Sequence, residues 1–482
     1  MSLLRALLGP RPLVAVFSFL AAYLRHGGSL YTLVAWRARQ TPEALALVEP
    51  EGTRTFAELE QQASRWATRL ALQKPGIVGI LCRNHAAFVE VLLACGKLGV
   101  EAVLLHTHFT AEQLTRRKLD VLVCDREFAA LAAGQNTLFT DMALPPPRAT
   151  PPRRGRASLT ILTSGTTGAA KPVRRRPTLT QALRMARALL TQLTLRPGEP
   201  TLLTLPLLHG HGLATLALSL VLGSPLYLFP RATARDFLQC IEAHAIQVVV
   251  LVPTILYRLL QEPGAWELSS LRVLVCGSAP LEGRLATAAL ERFGPTLFNL
   301  YGSSEAGVIS LATPADLQLA PESVGRVLPG VRVELLNERD VPVAVGEWGR
   351  VCVGGEQVVG GKRFETGDRG RFDTEGRLYL QGRLDDLLIC GGENVFPQTI
   401  EAAVCQNLPS VLECAAVGVP DPEFGQAIQL FVVLKPGYET SAAALLDQLR
   451  PLFPRAVRPR SVTILEALPR NLSGKLLRRE LR

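Results

Sequence analysis

Between Leu159 and Pro177 the chain reads LTILTSGTTGAAKPVRRRP. An apolar run gives way to Thr163, Ser164, Gly165, Thr166, Thr167 and Gly168, and then to Lys171. Glycines let a backbone approach a polyanion closely, and hydroxyls and amides supply donors, so the run suits a loop that holds phosphates. Its Gly-x-x-Gly-x-x-Lys spacing is not the GxxxxGK[ST] of P-loop nucleotidases. The chain has seven lysines among 52 Lys and Arg. A lysine kept inside a polar loop therefore points to a need for a compact, flexible ammonium.

Further along, Tyr301-Gly302-Ser303-Ser304-Glu305 sets a carboxylate beside hydroxyls. Oxygen ligands of that kind suit Mg²⁺ shared with a nucleotide. Asp368 closes a Thr-Gly-Asp turn, where a carboxylate would accept hydrogen bonds from ribose hydroxyls, and Arg383 would reach phosphate or ribose. Asp385 stands where a hinge would lie, and Gly391-Gly392 would let a ligand chain pass close to backbone. The plainer readings are a capped hairpin, a surface ion pair and a tight turn. Near the carboxyl end PRNLSGKLLRRELR places Lys475 after a Ser-Gly turn, at the start of a short basic helix or in a solvated tail.

These loops need a scaffold. From Ser158 onward, apolar β-branched runs alternate with amphipathic helical patterns, as in QVVVLVP and LRVLVCGSAP, and GIVGILCRN and DVLVCD repeat the style earlier. Such alternation predicts a largely parallel sheet covered on both faces, an α/β fold. Ligands in such sheets lie beyond the carboxyl ends of the strands. The Thr/Gly loop, LHGHG with His209 and His211, CGSAP with Gly277, Ser278 and Ala279, and YGSSEAG are all expected at one edge of one sheet. After Pro329 short strands with glycine turns predict a small β-barrel-like part. The last hundred or so residues carry helices and strands of their own. The expected units are an N-terminal helix within 1–40, a large domain over 41–382 and a small mobile α+β lid over 383–482.

At 482 residues the chain is too long for one small core. Its net charge of +10 suits anionic partners. No helix-turn-helix, zinc-finger or aromatic ribonucleoprotein pattern argues for nucleic acid. Nine scattered cysteines without a CxxC pair argue against a disulfide framework or a zinc site and for a reducing, cytoplasmic setting. Ala143 to Arg156 is Pro- and Arg-rich and reads as an exposed connector. Leu13 to Leu24 is apolar between arginines, too short for the ~20 residues of a spanning helix. It suits either packing on the first domain or lying on a membrane surface.

Taken together, the motifs resemble the adenylate-forming superfamily, which includes acyl-CoA synthetases and peptide-synthetase adenylation domains. The resemblance runs from about Glu43 to the end, through Thr163–Lys171, Tyr301–Glu305, Asp368, Gly382–Asn394 and the terminal Lys475. It implies that a carboxylate attacks the α-phosphorus of MgATP, and that after a lid rotation a thiol displaces AMP. It assigns Lys475 to bridging carboxylate and α-phosphate, Glu305 to Mg²⁺, Thr163–Lys171 to pyrophosphate and Tyr301 to adenine. Asp368 is assigned to ribose, Gly391 and Gly392 to the pantetheine tunnel, and His209 to the acyl carboxylate. Ala170 and Pro172 depart from the family's proline and glycine, and Arg174–Arg176 are unusually basic, read here as solvated.

The implied cofactors are ATP, Mg²⁺ and coenzyme A. Small residues at Gly277, Ala279, Gly302, Ala306 and Gly307 suggest a medium- to long-chain fatty acid as substrate, handled by a monomer or homodimer. Loading of a carrier-protein phosphopantetheine and a catalytically degenerate nucleotide-binding scaffold are the rival functions.

Overall fold

The computed structural model describes residues 12–148, 157–163, 171–175, 179–355, 358, 363–390, 393–422, 425–471 and 474–481. Two sheets of mainly parallel strands form the large N-terminal part. The nine-stranded sheet runs in the order Arg326–Val327, Gly307–Ala312, Leu297–Ser303, Val273–Gly277, Val248–Leu251, Thr201–Leu203, Leu226–Tyr227, Leu45–Glu49 and Gly52–Thr55. The six-stranded sheet runs Thr137–Phe139, Val121–Cys124, Ile77–Leu81, Glu101–Leu104, Ser158–Thr163 and Lys171–Arg175. Val248–Leu251 and Val273–Gly277 are buried throughout, as strands covered on both faces require.

One hydrophobic core joins the two sheets. It runs from Leu47 and Ile80 through Phe88, Leu104 and Ile161 to Leu203, Leu216, Val250 and Val275. Helices Ala86–Leu98 and Gly210–Leu222 contribute to it, and each ends on a left-handed glycine, Gly99 and Gly223. Other helices start on capping boxes, Thr55 with Glu58 and Thr233 with Asp236, which satisfy orphan amides at their first turns.

An antiparallel sheet follows, Arg332–Leu336, Gly349–Gly354, Phe364–Phe372 and Leu378–Arg383. Its register sets Asp368 directly opposite Arg383. The small C-terminal part has its own sheet, Glu393–Val395, Leu388–Cys390, Gly425–Leu434 and Val411–Asp421, with Pro459–Ile464 parallel to Gly425–Leu434. Its own core includes Ile400, Val404, Leu430, Val432 and Leu445.

The small part is docked on the large one. From helix Gly283–Phe293, Arg284 donates to the carbonyl oxygens of Cys405 at 3.4 Å and Leu412 at 2.6 Å. Gly474 lies against Val252 and Thr254 so closely that a Cβ there would stand 2.9 Å from Thr254 Oγ1.

Two expectations are corrected, and one strand was not expected: Lys171–Arg175 runs antiparallel to Ser158–Thr163, with Thr163 opposite Lys171. The polar loops come from two sheets rather than one, since the strand before the Thr/Gly loop belongs to the six-stranded sheet and the strands before the other three to the nine-stranded sheet. Lys475 opens no helix: it sits in a tight turn in which Asn471 N donates to Lys475 O at 2.9 Å, and the 3-10 turn begins only at Arg478. All nine cysteines are free and buried.

Candidate active site

The carboxyl ends of neighbouring strands build one wall from histidines. His209 follows strand Thr201–Leu203 and caps helix Gly210–Leu222. Its Nε2 is buried and has no hydrogen-bond partner among the described residues. The His106 ring lies 5.3 Å away, centre to centre, with Nε2 2.9 Å from the carbonyl oxygen of Leu162. His211 Nδ1 is 3.1 Å from Ser278 Oγ. Ser278 holds that position at φ +70, a left-handed conformation disfavoured for a residue with a side chain. Gly277 leaves room for this contact, because a Cβ there would stand 2.8 Å from Leu300 O and 3.3 Å from His211 Cε1.

Burial keeps this wall uncharged. It lowers His209 to about 3, helped by the neighbouring His106 and His211, and lowers His211 to about 4. His106 is likewise lowered, mainly by burial. Sequence reading passed over His106, although it follows strand Glu101–Leu104 at a carboxyl end, the position that flagged the other loops.

A second, ionic wall starts on the strand next to Val273–Gly277. Tyr301 Oη donates to Asp368 Oδ2 at 2.6 Å. Asp368 N donates to Thr366 Oγ1 at 3.1 Å, and Arg383 Nη1 donates to Thr366 O at 2.7 Å and lies 3.7 Å from Asp368 Oδ1. Arg383 Nη2 also pairs with Asp385 at 3.2 Å, just beyond the strand end, where Leu384–Asp386 forms a 3-10 turn. Gly302 is needed where strand Leu297–Ser303 pairs antiparallel with Gly307–Ala312, since a Cβ would fall 2.3 Å from Gly307 O.

Lys475, in the C-terminal part, lies within electrostatic range of this cluster. Burial lowers its ammonium pKa, as does Arg383, while Asp386, Asp368 and Asp385 oppose the shift. Burial also raises Asp368, against the Tyr301 hydrogen bond, Arg383 and Lys475. Tyr301 is pushed well above its ordinary value by burial and by the Asp368 carboxylate. Tyr301, Asp368, Arg383 and Lys475 form one electrostatic unit, with the Asp385 and Asp386 carboxylates beside its two cations.

Glu305 is half-buried in the turn after Ser303, and Ser303 Oγ accepts from Ala306 N at 3.0 Å. No described side chain pairs with Glu305, which suits an oxygen ligand for a hydrated divalent cation. Ala306 is turned into the core of the antiparallel sheet beside Ile309 and Leu335, so it lines no open acyl tunnel. Ala279 is half-buried just past Ser278. Ser164, Gly165, Thr166, Thr167, Gly168, Arg176, Gly391 and Gly392 lie outside the described residues.

Known proteins share this architecture. The AMP-binding enzyme family matches residues 34–361, and the AMP-binding enzyme C-terminal domain matches residues 399–475. A feruloyl-CoA synthase of Amycolatopsis is 31% identical, covering 92% of this chain and 97% of its own length. ATP-bound MatB from Rhodopseudomonas palustris superposes with a TM-score of 0.82 at 26% identity, over 94% of this chain and 98% of its own. The o-succinylbenzoate CoA synthetase of Bacillus subtilis, solved with its acyl-adenylate intermediate, gives 0.82 at 28%, over 93% and 97%. With a family match over most of its length and a 31% identical relative along nearly all of it, the chain belongs to the AMP-binding enzymes, the adenylate-forming superfamily that contains these CoA ligases.

Proposed function

We propose that the protein joins a monocarboxylic acid with an apolar, uncharged remainder to coenzyme A through an acyl-adenylate. The observation that carries this reading is the approach of Lys475 to the Tyr301–Asp368–Arg383 cluster, with Gly474 against Val252 and Thr254.

In the first step a carboxylate oxygen attacks the α-phosphorus of ATP, and the bond to the bridging oxygen breaks, releasing pyrophosphate. Negative charge must be met where it develops. Lys475 is the group for the attacking carboxylate and the α-phosphate. Asp368 accepts from ribose hydroxyls, Tyr301 packs on adenine, and Arg383 holds Asp368 in place and faces the nucleotide. Thr163 to Gly168 with Lys171, and the Ser303 and Ser304 hydroxyls, hold the phosphates beside Gly302. Mg²⁺, with Glu305 as its protein ligand, offsets phosphate charge when bound. In the second step the CoA sulfur bonds to the acyl carbon, its proton leaves, and AMP departs with the acyl-oxygen electron pair. Asp385 serves as the pivot between the steps, and Gly391 and Gly392 line the path of the thiol arm.

The acid's class follows from the histidine wall. His209 and His211 are neutral at physiological pH, so they offer ring nitrogens and no fixed positive charge. Such a wall suits a fatty or arylpropenoic acid and penalises a second anionic group like that of o-succinylbenzoate. Within that class a medium- to long-chain fatty acid is our reading, with Ala279 small and half-buried just past Ser278. CoA-dependent AMP release across acetate, octanoate, palmitate, ferulate and o-succinylbenzoate tests this. Apolar monoacids are expected to lead, and preferred turnover of the dianionic acid would refute the assignment.

A further inference from the structure

The N-terminal helix Pro12–His26 has two unlike faces. Ala15 and Ala22 are buried against helix Leu30–Gln40, where Trp36 Nε1 donates to Ala15 O at 3.0 Å and Phe19 meets Trp36 edge-on at 5.6 Å. The opposite face is apolar and open. Leu13, Phe17, Leu20 and Leu24 are 73, 69, 44 and 84% exposed, and their i, i+4, i+7, i+11 spacing makes one stripe. Val14 and Val16 widen it. Six of the fifteen large apolar side chains exposed among the described residues lie on this one helix. Apolar surface gathered in this way marks an interaction site.

Charge decides the occupant. From Met1 to Pro42 the chain has no Asp or Glu, and it has arginines at 5, 11, 25, 37 and 39. Arg37 is buried, bonded to the carbonyl oxygens of Leu220 and Val221, but Arg25, on the helix itself, and Arg39, on the next helix, are exposed. A second copy packed on the stripe would bring like charges together with no acidic residue of this segment to meet them. An acidic lipid surface satisfies both features, burying the stripe at the headgroup boundary and pairing the arginines with phosphates. The fifteen described residues of this helix span about 22 Å, short of the ~30 Å hydrocarbon layer. Among the described residues no helix is long and apolar enough to cross a membrane.

We propose that helix Pro12–His26 lies in the plane of an anionic bilayer surface and holds the protein there peripherally, with Leu13, Phe17, Leu20 and Leu24 in the lipid and Arg25 and Arg39 at the headgroups. The inference stands apart from the catalytic reading, since none of these side chains belongs to the proposed site.

Cosedimentation of the full chain with vesicles tests it. Binding is expected to vesicles containing phosphatidylglycerol, and to drop at least about fivefold with phosphatidylcholine alone or near 1 M salt, where the Debye length is about 3 Å. The double variant Phe17→Glu/Leu20→Glu should stay in the supernatant while keeping wild-type CoA ligation in vesicle-free solution. Phe17→Ser/Leu20→Ser, which adds no charge, should bind weakly, and Arg25→Glu should lose the dependence on anionic lipid. The proposal is overturned if the wild type ignores all vesicles, or if the Glu variant binds them equally. It is also overturned if sedimentation velocity shows a wild-type dimer that the Glu variant abolishes without any vesicle binding.

Discussion

The histidine wall and the ionic wall of the candidate site differ in how they are assembled. His106, His209, His211 and Ser278 all stand on strand ends and a helix start of the N-terminal sheets, held by one shared core. The ionic wall is a composite: Tyr301 comes from the nine-stranded sheet, Asp368 and Arg383 from the antiparallel sheet, and Lys475 from the C-terminal turn. One wall is complete before the C-terminal part docks, and the other needs it. Acid selection and adenylation chemistry should therefore respond to different perturbations.

The contrast can be broken at the contact that completes the ionic wall. Gly474 has φ +76 and no room for a Cβ beside Thr254. Gly474→Val should withdraw Lys475 and slow adenylation about 100-fold, since a displacement of about 1 Å can cost that much, while the relative preference among acids stays unchanged. Single-turnover adenylate formation across the acid panel reads both quantities, and a changed acid order would erase the distinction between the walls.

Asp368→Asn should lower kcat/KM for ATP by roughly 10- to 100-fold, the range for losing a charged hydrogen-bond acceptor. A fall seen only in the KM for the acid would move Asp368 to the other wall. Tyr301→Phe should cost less, about fivefold, for one hydrogen bond of about 1 kcal/mol. It carries a pH signature as well. The Tyr301 hydroxyl lowers the Asp368 pKa against burial, so its loss should move the acid limb of the pH–rate profile to higher pH. An unmoved limb would separate that limb from Asp368.

The histidine wall should also be felt in stability. Its folded-state pKa values lie below the unfolded value, so the unfolded chain binds more protons as pH falls. Stability from these groups is full above pH ~6.5 and is lost toward pH 4, by about 1.4 kcal/mol per pH unit per histidine. Denaturant titrations of a His209→Gln/His211→Gln variant should show a flatter decline over that window. An identical slope would mean that these rings are not held neutral by the fold.

The α/β scaffold was readable because fully apolar strands such as Val248–Leu251 alternate with amphipathic helices such as Ala234–Ala243. The ionic wall was readable in part: Tyr301, Asp368, Arg383 and Lys475 stand in short polar motifs. Their union was not, because Asp368 faces Arg383 through cross-strand register, and Lys475 arrives by domain docking. Neither leaves a local pattern. The pairing of Lys171–Arg175 with Ser158–Thr163 was hidden because Lys171–Arg175 is basic with a proline, a poor strand signature, and is paired only at a sheet edge. The turn at Lys475 was mistaken for a helix start because LLRREL has helical composition, whereas Asn471 fixes the backbone by accepting from Lys475 N at 2.8 Å.

The central claim is that Lys475 acts in acid activation from its docked position. ATP–pyrophosphate exchange with the best acid, set beside thioester formation from a supplied acyl-adenylate, tests it in wild type and Lys475→Ala. Removing one preorganised cation predicts a loss of at least about 100-fold in exchange, with thioester formation near the wild-type rate. Equal losses in both half-reactions, or exchange that survives the substitution, would contradict the account.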